Sequence, residues 1–387
     1  MCSEAFKGGI MATTAYSKSF EREVDVGQLL ALIGNTPGEV HDWPETGLAP
    51  ERRDWIRSDV VCSSCGAADA TIVMPSKGKA SGATLRQAHF RFVRPDGTDA
   101  HSRFCEFFGN RGEVRIVEQL VDFGKAKTAE TRLIRELVCR GIEQGIFAQS
   151  DIRAMRQFFF DLKAGSQRAV VATPEGLELV KTLKKHHPYY NQLPFHPSFG
   201  DLPDFDWEQA ARYAFAREYD DLLVKCRRLS WQKSVTQRAL ALIARHRDDI
   251  VFDTTVLKPY YDAALSMCTF VGQYGGLGYT PKRVADFSWT GASSPLLALC
   301  ALLLSISDWQ VVAAIEKFAV IRQAPPPADE TLGNVVGLNP FHDYLAWDAV
   351  YLTEEVAEDY PDFDYAGEMR NIEARLREEY RIWKQGS

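Results

Sequence analysis

Five residues with metal-ligand chemistry crowd into one short segment: Cys62, Cys65, His89, His101 and Cys105, spaced C-x2-C-x23-H-x11-H-x3-C. A C-x2-C pair in a tight turn aims two thiolates at one point, and tetrahedral Zn²⁺ then needs two more nitrogen or sulfur donors. The turn "VCSSCG" suits this, because Gly66 follows the second cysteine and glycine tolerates positive φ. The segment predicts a metal site built from Cys62, Cys65, His89 and Cys105, with His101 as the alternative fourth ligand. A redox C-x-x-C would instead open a helix at a strand end. Here small residues and strand-like sequence follow, which favours zinc. Iron–sulfur ligation calls for four cysteines, and three lie close together.

A catalytic zinc keeps a coordination position open for water and has a general base beside it. H-E-x-x-H is absent, and Arg91, not a glutamate, stands two residues after His89, unlike the zinc deaminase pattern. A closed, structural site is therefore expected. The segments "CSSC", "PSKGKA" and "QAHF" together resemble the N-terminal zinc module of bacterial competence CoiA-like proteins, over residues of about 55–110. That resemblance implies a bacterial protein with a small zinc-bearing β module. The family reads H-F-x-H where this chain has "HFRF", so Phe92 stands at the second histidine, and His101 or Cys105 must supply that ligand. A nuclease-like domain can follow the module in such proteins. "DTTVLK" and "LELVK" lack the D/E-x-K spacing that chemistry needs, so no nuclease is expected here.

The remaining sequence predicts an α+β chain: a small N-terminal zinc-binding β module, then a mainly α-helical region. Loose alternation in "HFRFV" and "EVRIV" reads as short strands. From residue 116 apolar residues recur at three- and four-residue spacings, which reads as helices. Thr173, Pro174 and Glu175 form a helix start, and Ser294 and Asp308 are candidate caps for two apolar helices. The tail "NIEARLREEYRIWK" reads as an amphipathic surface helix. By composition the chain divides into a lead-in at 1–50, the module at 51–115, helices at 116–187, a Pro- and aromatic-rich connector at 188–206, and a helical domain at 207–387 with an acidic tail.

Residues 51–115 carry 11 Lys+Arg against 8 Asp+Glu, whereas 329–387 carry 5 against 14. The overall charge of −7 excludes a chain that coats nucleic acid along its whole surface, but it allows a local basic face. Arg86, Arg91, Arg94 and Arg103, interleaved with phenylalanines, are the candidate nucleic-acid contacts, to DNA or RNA. The bland reading makes the phenylalanines a core and the arginines its solvated face. A second function class is a protein-binding scaffold in which a structural zinc props up helices. Cys139, Cys226, Cys268 and Cys300 sit singly among apolar residues, which suits reduced thiols and a cytoplasmic protein. The longest apolar run, "PLLALCALLLSI", is too short to span a bilayer. No nucleophile elbow or phosphate loop is present, so the expectation leans away from an enzyme. His186, His187, His196 and the adjacent pair His342 and Asp343 are weaker site candidates.

Overall fold

The computed structural model describes residues 12, 14–34, 48–63, 65–73, 76–77, 84–86, 88–101, 105, 107–108, 120–122, 128–186, 193–230, 232–328 and 336–386. It is an α+β protein, mostly helical, with small antiparallel sheets concentrated toward the N-terminus. In chain order the first elements are β1 (Thr14–Ser17), β2 (Arg22–Asp25), α1 (Val26–Leu32), α2 (Pro50–Asp59), β3 (Val60–Val61), β4 (Ala70–Val73), β5 (Ser76–Lys77), β6 (Thr84–Arg86), β7 (His89–Phe92) and β8 (Leu120–Asp122). Then come α3 (Ala129–Glu143), α4 (Gln149–Ala164), β9 (Gln167–Ala169), α5 (Pro174–Lys184), α6 (Trp207–Glu218), α7 (Asp220–Cys226), α8 (Lys233–His246) and β10 (Ile250–Phe252). The chain closes with α9 (Lys258–Tyr274), α10 (Pro281–Ala285), α11 (Phe287–Thr290), α12 (Ser294–Ser305), α13 (Val311–Gln323), β11 (Val336–Leu338), α14 (Tyr344–Asp359) and α15 (Tyr365–Gly386).

Two compact units result, both discontinuous in sequence: residues 1–166 with 256–342, and residues 167–255 with 343–387. Residues 193–206 of the Pro- and aromatic-rich stretch therefore fall within the second unit. There Phe195 and Phe205 pack on its core, and Pro197–Asp201 form a 3-10 turn.

In the first unit, β1 lies between β2 and β3, and β4 pairs with β7, with Ala70 opposite Phe92 and Val73 opposite His89. Ala15, Val24, Leu29, Leu30, Ile56, Val60, Phe90 and Phe92 form the core of this N-terminal module. The helical remainder of the unit centres on α12. Leu296 to Leu304 are all buried, because "LLALCALLL" has no polar stripe to turn toward water. Its cap is Ser293, whose hydroxyl accepts from the Leu296 amide, and not Ser294. Asp308 sits in a turn at φ +48°, and α13 begins after Gln310.

The second unit packs α14 against α5, α7 and α8, and α15 against α6. Thr173 caps α5 as its sequence predicts, accepting from the Gly176 amide. Buried Glu354 of α14 accepts from the Val171 amide at 2.8 Å, the Ala172 amide at 3.0 Å and Arg168 Nη2 at 2.5 Å. One carboxylate thus satisfies two backbone donors of the β9–α5 connection and one cation. Helix α15 buries Ile372 and Leu376 and turns its charged residues outward, as an amphipathic surface helix does.

Candidate metal centre

The site is assembled by strand ends. Asp59, buried at the end of α2, accepts from the Ser17 hydroxyl and from the amide and hydroxyl of Ser19. These bonds pin α2 to the β1–β2 turn, so β3 pairs with β1 and delivers Cys62 directly after Val61. The chain then reverses sharply. Cys62 donates its amide to Ala67 O at 2.8 Å, and Gly66 donates to Cys62 O at 3.0 Å. Gly66 has φ +68°, a conformation that a side chain would strain, which is why the glycine follows the second cysteine. This turn brings Cys65 back over Cys62.

The other two donors come from the far side of the β4–β7 hairpin. Strand β7 is held at Phe90, whose amide donates to Ala12 O, and it ends in a turn closed by Arg94 and Thr98, with Gly97 at φ +84°. The Ala100 amide then returns to Phe92 O, and the Asp99 carboxylate accepts from the His101 amide at 2.8 Å. The His101 ring stands edge-on to Phe92 with centroids 5.0 Å apart, and 5.6 Å from Phe107. Phe92 is a core residue whose ring packs against His101.

The result is a compact group of donor atoms. Cys62 Sγ and Cys105 Sγ are 3.8 Å apart, and His101 Nδ1 lies 3.5 Å from both Cys65 Sγ and Cys105 Sγ. All four donors fall within 4.8 Å of one another. A tetrahedral Zn²⁺ with ordinary bond lengths sets sulfur–sulfur edges of about 3.8 Å and sulfur–nitrogen edges of about 3.5 Å. These three separations match those edges, and the Cys62–Cys105 pair is far from a disulfide, whose sulfurs approach to about 2.05 Å. Cys62, Cys105 and His101 are buried, and Cys65 is half-buried. Burial pushes the Cys62 thiol well above its ordinary pKa, since no water is at hand to solvate a thiolate. A cation held by the four donors would supply the compensation that solvent does not.

The sequence-predicted ligands Cys62, Cys65 and Cys105 meet here, and His101 stands in the place expected for His89. His89 is buried in β7, in register with Val73, and outside this group. The signal for His101 lay in its H-x3-C spacing to Cys105, whereas His89 belongs to an alternating strand. Arg91 and Arg94 are exposed on β7 and the turn after it. Arg86 ends β6, in register with Ser76, and Arg103 lies outside the described residues.

The weaker candidates take other roles. His186 Nε2 bonds the Tyr365 hydroxyl at 2.7 Å and its ring packs on Phe215, while His196 Nδ1 bonds Ser198 at the 3-10 turn. His187 lies outside the described residues. Asp343 accepts from Arg238 Nε at 2.7 Å. The Gly-rich loop after α9 is held by Arg322, which donates to Gly275 O. Among the described residues, no helix is long and apolar enough to cross a membrane. No family model, curated protein or solved structure matches the chain.

Proposed function

We propose that Cys62, Cys65, His101 and Cys105 hold a structural Zn²⁺ that stabilises the N-terminal module, and that this module engages nucleic acid. The match between the observed donor separations and the edges of a zinc tetrahedron carries the metal reading. Three thiolates and one imidazole suit zinc better than hard cations, which take oxygen donors. Four protein donors complete the tetrahedron and leave no position for a reacting water, so the metal holds the fold. The module needs such a clamp: its strands are two to four residues long, and a small β core buries too little apolar surface to be stable alone.

The nucleic-acid reading rests on Arg91 and Arg94, exposed beside one another in sequence on a module that the metal stiffens, with Arg52, Arg53 and Arg57 exposed on α2. Arginines held on short strands contact phosphates at low entropic cost, and such contacts weaken with salt as counterions are no longer released.

Elemental analysis of the purified chain tests the metal, with about one zinc per chain expected. Cys65→Ser should lose both zinc and the folded module. A zinc-free wild-type protein would end the reading. Retention of a labelled oligonucleotide, measured between 50 and 200 mM salt, tests the partner. Binding should fall by roughly tenfold or more over that range. It should weaken further in Arg91→Ala/Arg94→Ala, with zinc content unchanged. Binding that ignores salt or these arginines would sink the nucleic-acid half and leave the metal half standing.

A further inference from the structure

The four donors are not equally sheltered. Cys62 is 1% exposed, Cys105 0% and His101 7%, whereas Cys65 is only half-buried. Beside it, among the described residues, a side chain built on Gly66 would meet nothing within 4 Å. Of the four donor residues, Cys65 is therefore the one most open to a small oxidant. The Cys62 sulfur, in the same turn, lies within 4.8 Å of the Cys65 sulfur.

We propose, building on the structural-zinc reading, that the centre is a peroxide-responsive switch in which Cys65 is oxidised first and Cys62 resolves it as a disulfide, releasing the metal. In the first step Cys65 thiolate attacks one oxygen of a hydroperoxide. The O–O bond breaks, a proton is taken up, and Cys65 sulfenic acid and water form when the oxidant is H₂O₂. In the second step Cys62 thiolate attacks the Cys65 sulfur, the S–O bond breaks, and the hydroxide leaves as water after taking a proton. Two sulfurs have lost one electron each, and the peroxide has gained both. The new bond draws the two sulfurs, which start within 4.8 Å of each other, to about 2.05 Å. Cys105 and His101 remain, and two donors do not retain zinc.

The experiment uses the full-length, zinc-loaded protein. Treatment with H₂O₂ in the presence of a chromogenic zinc chelator should release one zinc per chain. Peptide mapping after alkylation should find a Cys62–Cys65 disulfide, and a thiol reductant plus zinc should restore the starting state. Cys65→His keeps four donors but removes the accessible sulfur, and its zinc should leave about tenfold more slowly. In the wild-type chain, substoichiometric H₂O₂ with a sulfenic-acid trap should label Cys65 before Cys62 or Cys105, whatever the variant does. First labelling at another of these cysteines would overturn the proposal. So would equal release rates in the two proteins, or zinc that stays bound while Cys65 oxidises. A wild-type protein that never held zinc would instead defeat the underlying structural-zinc reading.

Discussion

A single buried amine illustrates how much one side chain costs this protein. Lys184, in the last turn of α5, is 5% exposed, and its Nζ reaches Arg227 O at 3.5 Å. Burial lowers its pKa from 10.5 to about 8, since the charged form has lost its water. The unfolded chain therefore binds more protons than the folded one between those two values, and stability rises with pH across that window. Below about pH 8 the full penalty is present. Lys184→Met should raise stability at pH 7 by about 1–2 kcal/mol, and the gain should shrink toward zero above pH 10. Urea unfolding of both proteins at the two pH values checks this. A gain that is the same at both would mean packing, not charge burial, is responsible. The sequence marks Lys184 only as one of several lysines in "KTLKKHH", because burial depends on which helix face meets the core.

Strand β2 and helix α4 are joined by an ion pair that neither element announces. Glu23 accepts from the Thr14 hydroxyl and from Arg156 Nη1, the latter at 2.8 Å, and both charged groups are essentially inaccessible. Among the described residues Arg156 Nε and Nη2 meet no hydrogen-bond partner, so the pair is an expensive contact that depends on its one carboxylate. Glu23→Ala should cost about 3–5 kcal/mol by leaving a buried cation uncompensated. Glu23→Ala/Arg156→Met should recover most of that loss. Denaturant unfolding of the two variants decides it, and a double variant no better than the single would show that the pair is worth more than its desolvation.

Other elements were readable. The all-apolar run of α12, the cap of α5 and the amphipathic tail helix each follow from local spacing. The break at Tyr219 between α6 and α7 was not readable, since "REYDDLLVK" keeps a helical pattern through it.

Across the whole chain, stability is expected to be uneven. The N-terminal module has short strands and a cluster of four donors that could hold a metal, whereas the second unit has a helical core that includes Val180, Phe215, Ile243 and Val350. Chelation of the native protein should raise amide exchange at residues 12–34 and 48–101 by about tenfold or more, leaving 167–186 and 343–386 nearly unchanged. Hydrogen exchange read by mass spectrometry measures both at once. A uniform rise would show that the metal supports the entire chain.

The sequence alone determined that the chain is α+β, that three cysteines between 62 and 105 share one site with a histidine, and where many of the helices run. Those features follow from residue type and local period, which act over a few positions. Tertiary structure decided which histidine enters the site. The choice turns on how β7 pairs with β4 and where the loop after Gly97 returns, and both are long-range contacts. It also decided that residues 256–342 join the first unit and 343–387 the second. The chain passes between the units near single turn residues such as Gly165, Pro259 and Pro340, while the longer Pro-rich stretch, 188–206, falls within one of them. Composition reports local stiffness and turn-forming tendency. The path of a chain between cores is set by which apolar faces bury one another.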